Sequence, residues 1–280
     1  MLLGRNNLPS SPNPASSKGI ADKLQNSVMF WQDDLKASKY VLNIIRYGYK
    51  IPFTSIPPPT VEKNNASALR NTEFVDIELQ KLLEDGRILR TRVPPHTVNP
   101  LSVSEGRKPR LVLDLRNINP YVILKKFKYE NLKTLADLFE KNYHFASFDL
   151  KHGYHHIRIA PEYQKYLGFA WTHANGQRFF YFFTVLPFGL SSACYAFTKI
   201  TRPLTKKWRS AGIRSLLYID DGIFGSPDAL RTHDLCQLIR RDLNASGFTI
   251  NEEKSKLYPV QKGEWLGFEI DTIKMEFSIP

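Results

Sequence analysis

Two apolar stretches of this chain run straight into aspartates. One is FASFDL (145–150), closing on Asp149, and the other is LLYIDDGIFGS (216–226), carrying Asp220 and Asp221. Short apolar runs bounded by turn residues predict buried strands. Taken alone, Asp220-Asp221-Gly222 predicts a tight turn, because Asp and Gly tolerate the backbone angles of a hairpin. The first stretch changes that reading. Aspartates ending adjacent strands face each other at one sheet edge, where like charges are costly unless one is neutralised or a cation lies between them. Carboxylate oxygens suit Mg²⁺, which takes one or two carboxylates together with substrate phosphates, and two such ions about 4 Å apart can activate a hydroxyl and stabilise a departing pyrophosphate. Successive strand residues point to opposite faces. Asp149 and Asp220 are therefore expected as the metal ligands, with Asp221 in a weaker role.

The rest of the chain supplies elements for such a sheet. Residues 4–19, rich in Ser, Pro and Asn, predict disorder, and apolar spacing over 24–47 predicts one or two helices. A proline-rich strap follows, IPFTSIPPPTVEKNNAS. A helix then carries Val75, Leu79, Leu82 and Leu83 on one stripe, capped by Asn71 or Thr72 and ended by Gly86. Strands are predicted at PRLVLDL (109–115), HFASFDL (144–150), HIRIA (156–160), LGFAW (167–171) and RFFYFFTVL (178–186). Ala193, Phe197, Ile200, Leu204 and Trp208 share a helical face. IRSLLYID and GIFGS form a hairpin, a helix covers LRTHDLCQLIRRDLNASG, and EWLGFEI with KMEFSI predicts a final hairpin. Strands and helices interleave irregularly, which predicts an α+β fold, an antiparallel sheet with helices packed on one face.

Composition narrows the partner. A formal charge of +12 over 280 residues favours a polyanion. No stretch approaches the roughly 18 apolar residues of a membrane span, and the N-terminus has no apolar core segment of a secretory signal, so an intracellular protein, cytoplasmic or nuclear, is expected. Cys194 and Cys236 lack any CxxC spacing, which argues against a disulfide scaffold or a zinc ribbon. Seven Lys or Arg against one acid lie between 107 and 128, starting at Arg107, and six against none between 199 and 214. Either block alone reads as a solvated face. Flanking the acidic strand ends, they fit a channel lined for phosphates, with Lys206, Lys207 and Arg209 expected on the nucleic acid. HGYHH places His152, His155 and His156 at a spacing zinc can use, but no third segment offers a ligand.

In order, RLVLDLRNIN, FDLKHGYHHI, VLPFGLSSACYAFTK, LYIDDGI, GFTINEEKSKL and EWLGFEID resemble the successive motifs of retroelement reverse transcriptases, over roughly residues 72–273. VLNIIRYGYKIPF and FGLSSACYAFTK look closest to tyrosine-recombinase (DIRS-type) retrotransposons. The resemblance implies the fingers and palm of a right-handed polymerase over 71–280, behind an N-terminal extension of 1–70. It implies an RNA template, a DNA primer and deoxynucleotides as substrates, two Mg²⁺ (or Mn²⁺), and other domains of a longer polyprotein as neighbours. By motif position, Asp149, Asp220 and Asp221 form the catalytic triad and Lys254 a proton donor to pyrophosphate. Arg110 contacts the triphosphate, Tyr154 gates the sugar, and Phe188 with Gly189 lines the nucleotide pocket. Trp265, Leu266 and Gly267 match the hairpin that holds the primer end. Cys194 departs from a proline common in the motif. The chain ends just after the primer-holding hairpin, so thumb and RNase H domains are expected to be absent. A binding protein that keeps the fold without turnover is the rival reading. An RNA-dependent RNA polymerase is disfavoured by the bulky aromatic at 154.

Overall fold

The computed structural model describes residues 20–104, 106, 108–128, 130 and 132–279. The disorder expected for 4–19 and the position of Arg107 lie outside them. The chain opens with helices α1 (Asp22–Asn26) and α2 (Lys39–Tyr47), separated by a π-helical turn at Phe30–Asp34. Ser38 begins α2 by accepting the Val41 N–H on its Oγ at 3.4 Å. This segment is rooted in the main core. Trp31 is fully buried, its indole N–H donates to the Ser246 carbonyl at 2.8 Å, and its ring meets Phe248 edge-on at 6.1 Å.

The proline-rich strap contributes β1 (Thr60–Val61) and leads into α3 (Ala66–Arg70) and α4 (Thr72–Glu84). Val75, Leu79 and Leu82 of α4 are buried, and Gly86 follows with φ +66°. Asn71 does not cap α4 with its side chain, which donates instead to the Ser67 carbonyl at 2.8 Å. Four short strands follow: β2 (Ile88–Thr91), β3 (Thr97–Asn99), β4 (Leu101–Ser104) and β5 (Arg110–Leu113). Helix α5 (Leu132–Leu138) precedes β6 (His144–Asp149), and α6 (Pro161–Gln164) precedes β7 (Gly168–Thr172) and β8 (Arg178–Phe183). The long helix α7 (Ala193–Ser210) leads to the hairpin β9 (Arg214–Tyr218) and β10 (Asp221–Ser226), then α8 (Ala229–Ala245) and β11 (Lys256–Val260). Last come β12 (Lys262–Trp265), β13 (Phe268–Asp271) and β14 (Glu276–Ser278).

These strands form two principal layers. A five-stranded sheet has the order β1-β3-β7-β8-β2, and an antiparallel four-stranded sheet the order β11-β6-β10-β9. α7 packs on β9, and α8 on β6, β10 and β11. Pro259 is tolerated in β11 because that strand is an edge.

Two expected elements differ. HIRIA is not a strand. Ile157 N–H closes a turn onto Tyr154, and the following residues bridge to separate segments, Tyr49 with Ile159 and Arg158 with Val185, so no single ladder can extend. EWLGFEI is itself a hairpin, β12-β13, and KMEFSI adds β14 as the third strand of a meander.

Candidate active site

β6 and β10 are antiparallel neighbours whose register sets Asp149 directly opposite Asp221, while β9 sets Tyr218 opposite the same Asp221. The turn is therefore Ile219–Asp220, one residue earlier than the sequence suggested, and Asp221 and Gly222 belong to the strand. Ile219 holds φ +55°, which is strained for a β-branched residue. The Leu150 N–H donating to the Asp220 carbonyl at 2.9 Å pins the turn against β6. Gly222 serves packing instead of turning: a Cβ there would lie 2.1 Å from the Phe148 ring.

Asp149 is buried and held on every side. Its Oδ1 accepts from Asn251 Nδ2 at 2.8 Å, its Oδ2 faces Lys254 Nζ at 3.3 Å, and its backbone N–H donates to Ser255 Oγ at 3.0 Å. Asn251 and Ser255 were not singled out from sequence, although both lie in the quoted GFTINEEKSKL motif. Gly153 was read only as a turn residue. A Cβ at this position (φ +34°) would come within 3.3 Å of Asp220 Oδ2, so glycine keeps the space beside that carboxylate open.

The three carboxylates carry more charge than their surroundings neutralise. Burial, and then Asp149, push the Asp220 carboxyl above its ordinary value. Burial, then Asp220 and Asp149, push Asp221 up to about 6. Lys254 opposes both shifts without cancelling them. A site with this imbalance favours a cation, and its all-oxygen donors suit a hard one. Among the described residues no three such ligands already enclose a metal position, as fits an ion completed by substrate phosphates.

One cavity of about 660 Å³ gathers Arg110, Asp149, Tyr154, Phe188, Asp220, Asp221, Lys254, Trp265, Leu266 and Gly267. A second, of about 860 Å³, shares Arg110, Asp149, Phe188, Asp220 and Lys254 and extends to His152 and His155. Tyr154 is only 6% exposed; its hydroxyl lies 2.8 Å from Cys194 Sγ, and its ring packs on Phe197 and Phe188. It is core on one side and cavity wall on the other. Phe188 is 50% exposed. Leu266 and Gly267 both have positive φ and make the two-residue turn of the β12-β13 hairpin. Gly189 lies behind the cavity wall. Its carbonyl accepts from Asn119 Nδ2 at 2.9 Å, and a Cβ would crowd the Leu113 carbonyl at 3.3 Å.

The basic trio on α7 does not act as a unit. Lys207 pairs with buried Asp242 at 3.0 Å, whose other oxygen accepts from the Trp208 indole at 3.0 Å. Arg209 pairs with Glu130 at 2.6 Å and donates to the Ser215 carbonyl. Only Lys206 keeps a phosphate-binding role. Replacing Lys207 by Ala leaves Asp242 buried without its counter-charge and is expected to cost about 3 kcal/mol, measured as a lower denaturation midpoint. A phosphate contact would instead show as a shallower salt dependence of nucleic-acid binding.

The histidines of HGYHH are committed elsewhere. Arg87 NH1 lies 3.3 Å from His152 Nδ1 and 3.2 Å from His155 Nδ1, and Arg87 also pairs with Asp85. Burial, and then this guanidinium, lower the two imidazoles to about 4 and about 3. His156 Nε2 accepts the Thr249 N–H at 3.0 Å, leaving Nδ1–H to donate to the Gly153 carbonyl. A guanidinium occupies the place a zinc ion would need.

Residues 87–270 match the profile of a family described as reverse transcriptase (RNA-dependent DNA polymerase). The retrovirus-related Pol polyprotein from transposon gypsy of Drosophila melanogaster is 26% identical over 203 residues, 70% of this chain and 19% of that polyprotein. The foamy viral protease-reverse transcriptase in complex with an RNA/DNA hybrid superposes with a TM-score of 0.68 at 16% identity, over 98% of this chain and 38% of that one. The same viral protein in complex with dsDNA gives 0.66 at 18% identity, over 96% and 58%.

Proposed function

The chain belongs to the reverse transcriptase (RNA-dependent DNA polymerase) family, and on that premise we propose that it carries the fingers and palm of a retroelement RNA-directed DNA polymerase. The observation that carries the reading is the β6-β10 register, which sets Asp149 against Asp221 with Asp220 at the adjoining turn, on the wall of a cavity that Arg110 also lines. The chain spans only a fifth of the gypsy polyprotein. Its template, primer and nucleotide are therefore part of the proposal, supported by the nucleic acids bound to the two viral structures. Assignment to the DIRS-type subfamily rests on its sequence motifs.

Asp149 and Asp220 would hold two Mg²⁺, or Mn²⁺. When bound, the ions would supply the Lewis acidity that favours attack of a primer 3′-hydroxyl on the α-phosphate of a deoxynucleotide. The chain's own groups do the rest. Asn251 and Ser255 fix Asp149 so that it need not reorganise. Arg110 draws in the triphosphate, Tyr154 and Phe188 wall the sugar and base, and Trp265, Leu266 and Gly267 meet the primer end. Lys254, 67% exposed at its side chain, can leave Asp149 and offer its proton to the departing pyrophosphate. Gly189 acts through the backbone, holding the Phe188 loop to the fingers hairpin β4-β5.

The test is primer extension on an RNA template by the purified chain with deoxynucleotides, with Mg²⁺ or with chelator. Templated, divalent-dependent extension is expected. Tight binding of the primer-template with no extension at any divalent concentration would leave only a nucleic-acid-binding protein.

A further inference from the structure

On the far side of α7 from its buried stripe, Lys199, Arg202 and Lys206 recur at i, i+3 and i+7 and share one face. They line a cavity of about 760 Å³ whose opposite wall is Lys36, Ser38 and Val41, the start of α2. Lys36 holds φ +45° in the loop that turns the chain into α2. This cavity shares no lining residue with the one that holds the carboxylates.

Its charge is not spent within the protein. Glu130 is the acidic residue of the lining, and its carboxylate already binds Arg209 and the Leu217 N–H. Lys36, Arg202 and Lys206 make no ion pair among the described residues, and Lys199 lies over the Tyr195 ring at 5.4 Å. Next to them, Lys207 and Arg209 are both paired, so the helix divides its cations into a structural set and a solvent-facing set. The first-turn N–H groups of α2 add the positive end of a helix dipole to the same wall. Along α7 the three cations span about 10 Å at 1.5 Å per residue. That is on the order of three successive phosphates at about 3.4 Å of axial rise per strand.

We propose that this cavity is a second nucleic-acid site, which takes the sugar-phosphate backbone of a strand outside the catalytic cleft. The inference rests on the nucleic-acid reading above, but not on turnover. A processing polymerase has to accommodate strand beyond the reacting end, and a basic groove without hydrogen-bonding groups specific for bases holds it in any sequence.

Binding is measured by fluorescence anisotropy in chelator without nucleotides, so that chemistry plays no part. The probes are a short primer-template and the same duplex with a long single-stranded extension. The variant is Lys36→Gln, Lys199→Gln and Arg202→Gln together, which keeps the polar stems and removes three charges. For the extended probe the log–log salt slope is expected to fall by about 2 to 3, at 0.7 to 0.9 per phosphate, while the short probe is bound as before. A melting curve matching the parent shows that the fold is kept, and a triple Ala variant is expected to give the same slope change. An unchanged slope for the extended probe would make these cations an ordinary solvated helix face. Tighter binding of poly-glutamate than of the extended probe, lost in the variant, would reassign the cavity to an acidic protein segment. Failure of primer extension with this binding intact would count against the polymerase reading alone.

Discussion

Asp220→Asn is expected to reduce primer extension by roughly a thousandfold or more, since losing one ligand of a catalytic cation forfeits several kcal/mol of transition-state stabilisation. The variant should nevertheless be at least as stable as the parent. Burial and Asp149 disfavour the charge that is removed, and Asp221 loses one of the neighbours that hold it near 6. The sign with pH follows. A carboxyl raised in the folded state penalises folding fully above its folded value and not at all below its unfolded one. The stability gained by Asp220→Asn should therefore be present at neutral pH and fade as the pH falls through 6 towards 4. Extension assays beside melting curves at pH 7.5 and pH 4 check both halves. More than a few per cent of parental activity in the variant would remove Asp220 from metal binding.

Tyr154→Ala carries the second large effect. With 6% of the residue exposed and rings packed on two sides, truncation should cost about 3–5 kcal/mol. The same ring walls the cavity beside the carboxylates, so its loss should also admit ribonucleotides, narrowing a preference of orders of magnitude to roughly tenfold, as for a site that recognises by shape alone. Tyr154→Phe separates the contributions. It removes only the hydroxyl that meets Cys194 Sγ and should keep the sugar preference. The measurement is incorporation of deoxy- and ribonucleotides at a temperature where each variant is folded. Undiminished selectivity in Tyr154→Ala would make the residue a core aromatic and nothing more.

The parts of the fold that sequence revealed are those in which one periodic pattern decides the outcome. The α7 stripe of Ala193, Phe197, Ile200, Leu204 and Trp208 is fully buried because five apolar residues at helical spacing leave no competing face. The carboxylate strands were legible for the same reason. What escaped depended on three-dimensional neighbours. Asp-Gly promises a turn in any sequence, yet the ring of Phe148 over residue 222 moves the tip to Ile219–Asp220. Lys207 and Arg209 look like their neighbour Lys206 until Asp242 and Glu130, distant in the chain, take their charge. HIRIA alternates as a strand should, but its partners come from several segments. Strands β1 and β3, of two and three residues, are too short for any period to register.

The anchoring of Trp31 on Ser246 has a consequence for synthesis. The partner lies 215 residues downstream, and β6 meets its neighbours β10 and β11 only after most of the chain has been made. A ribosome releasing residues at about 5–20 per second therefore exposes the Trp31 ring for on the order of ten seconds or more before its site exists. Contacts this distant slow folding. The first segment to emerge is among the last to settle, and during translation a holding chaperone would find its clearest target in residues 24–47.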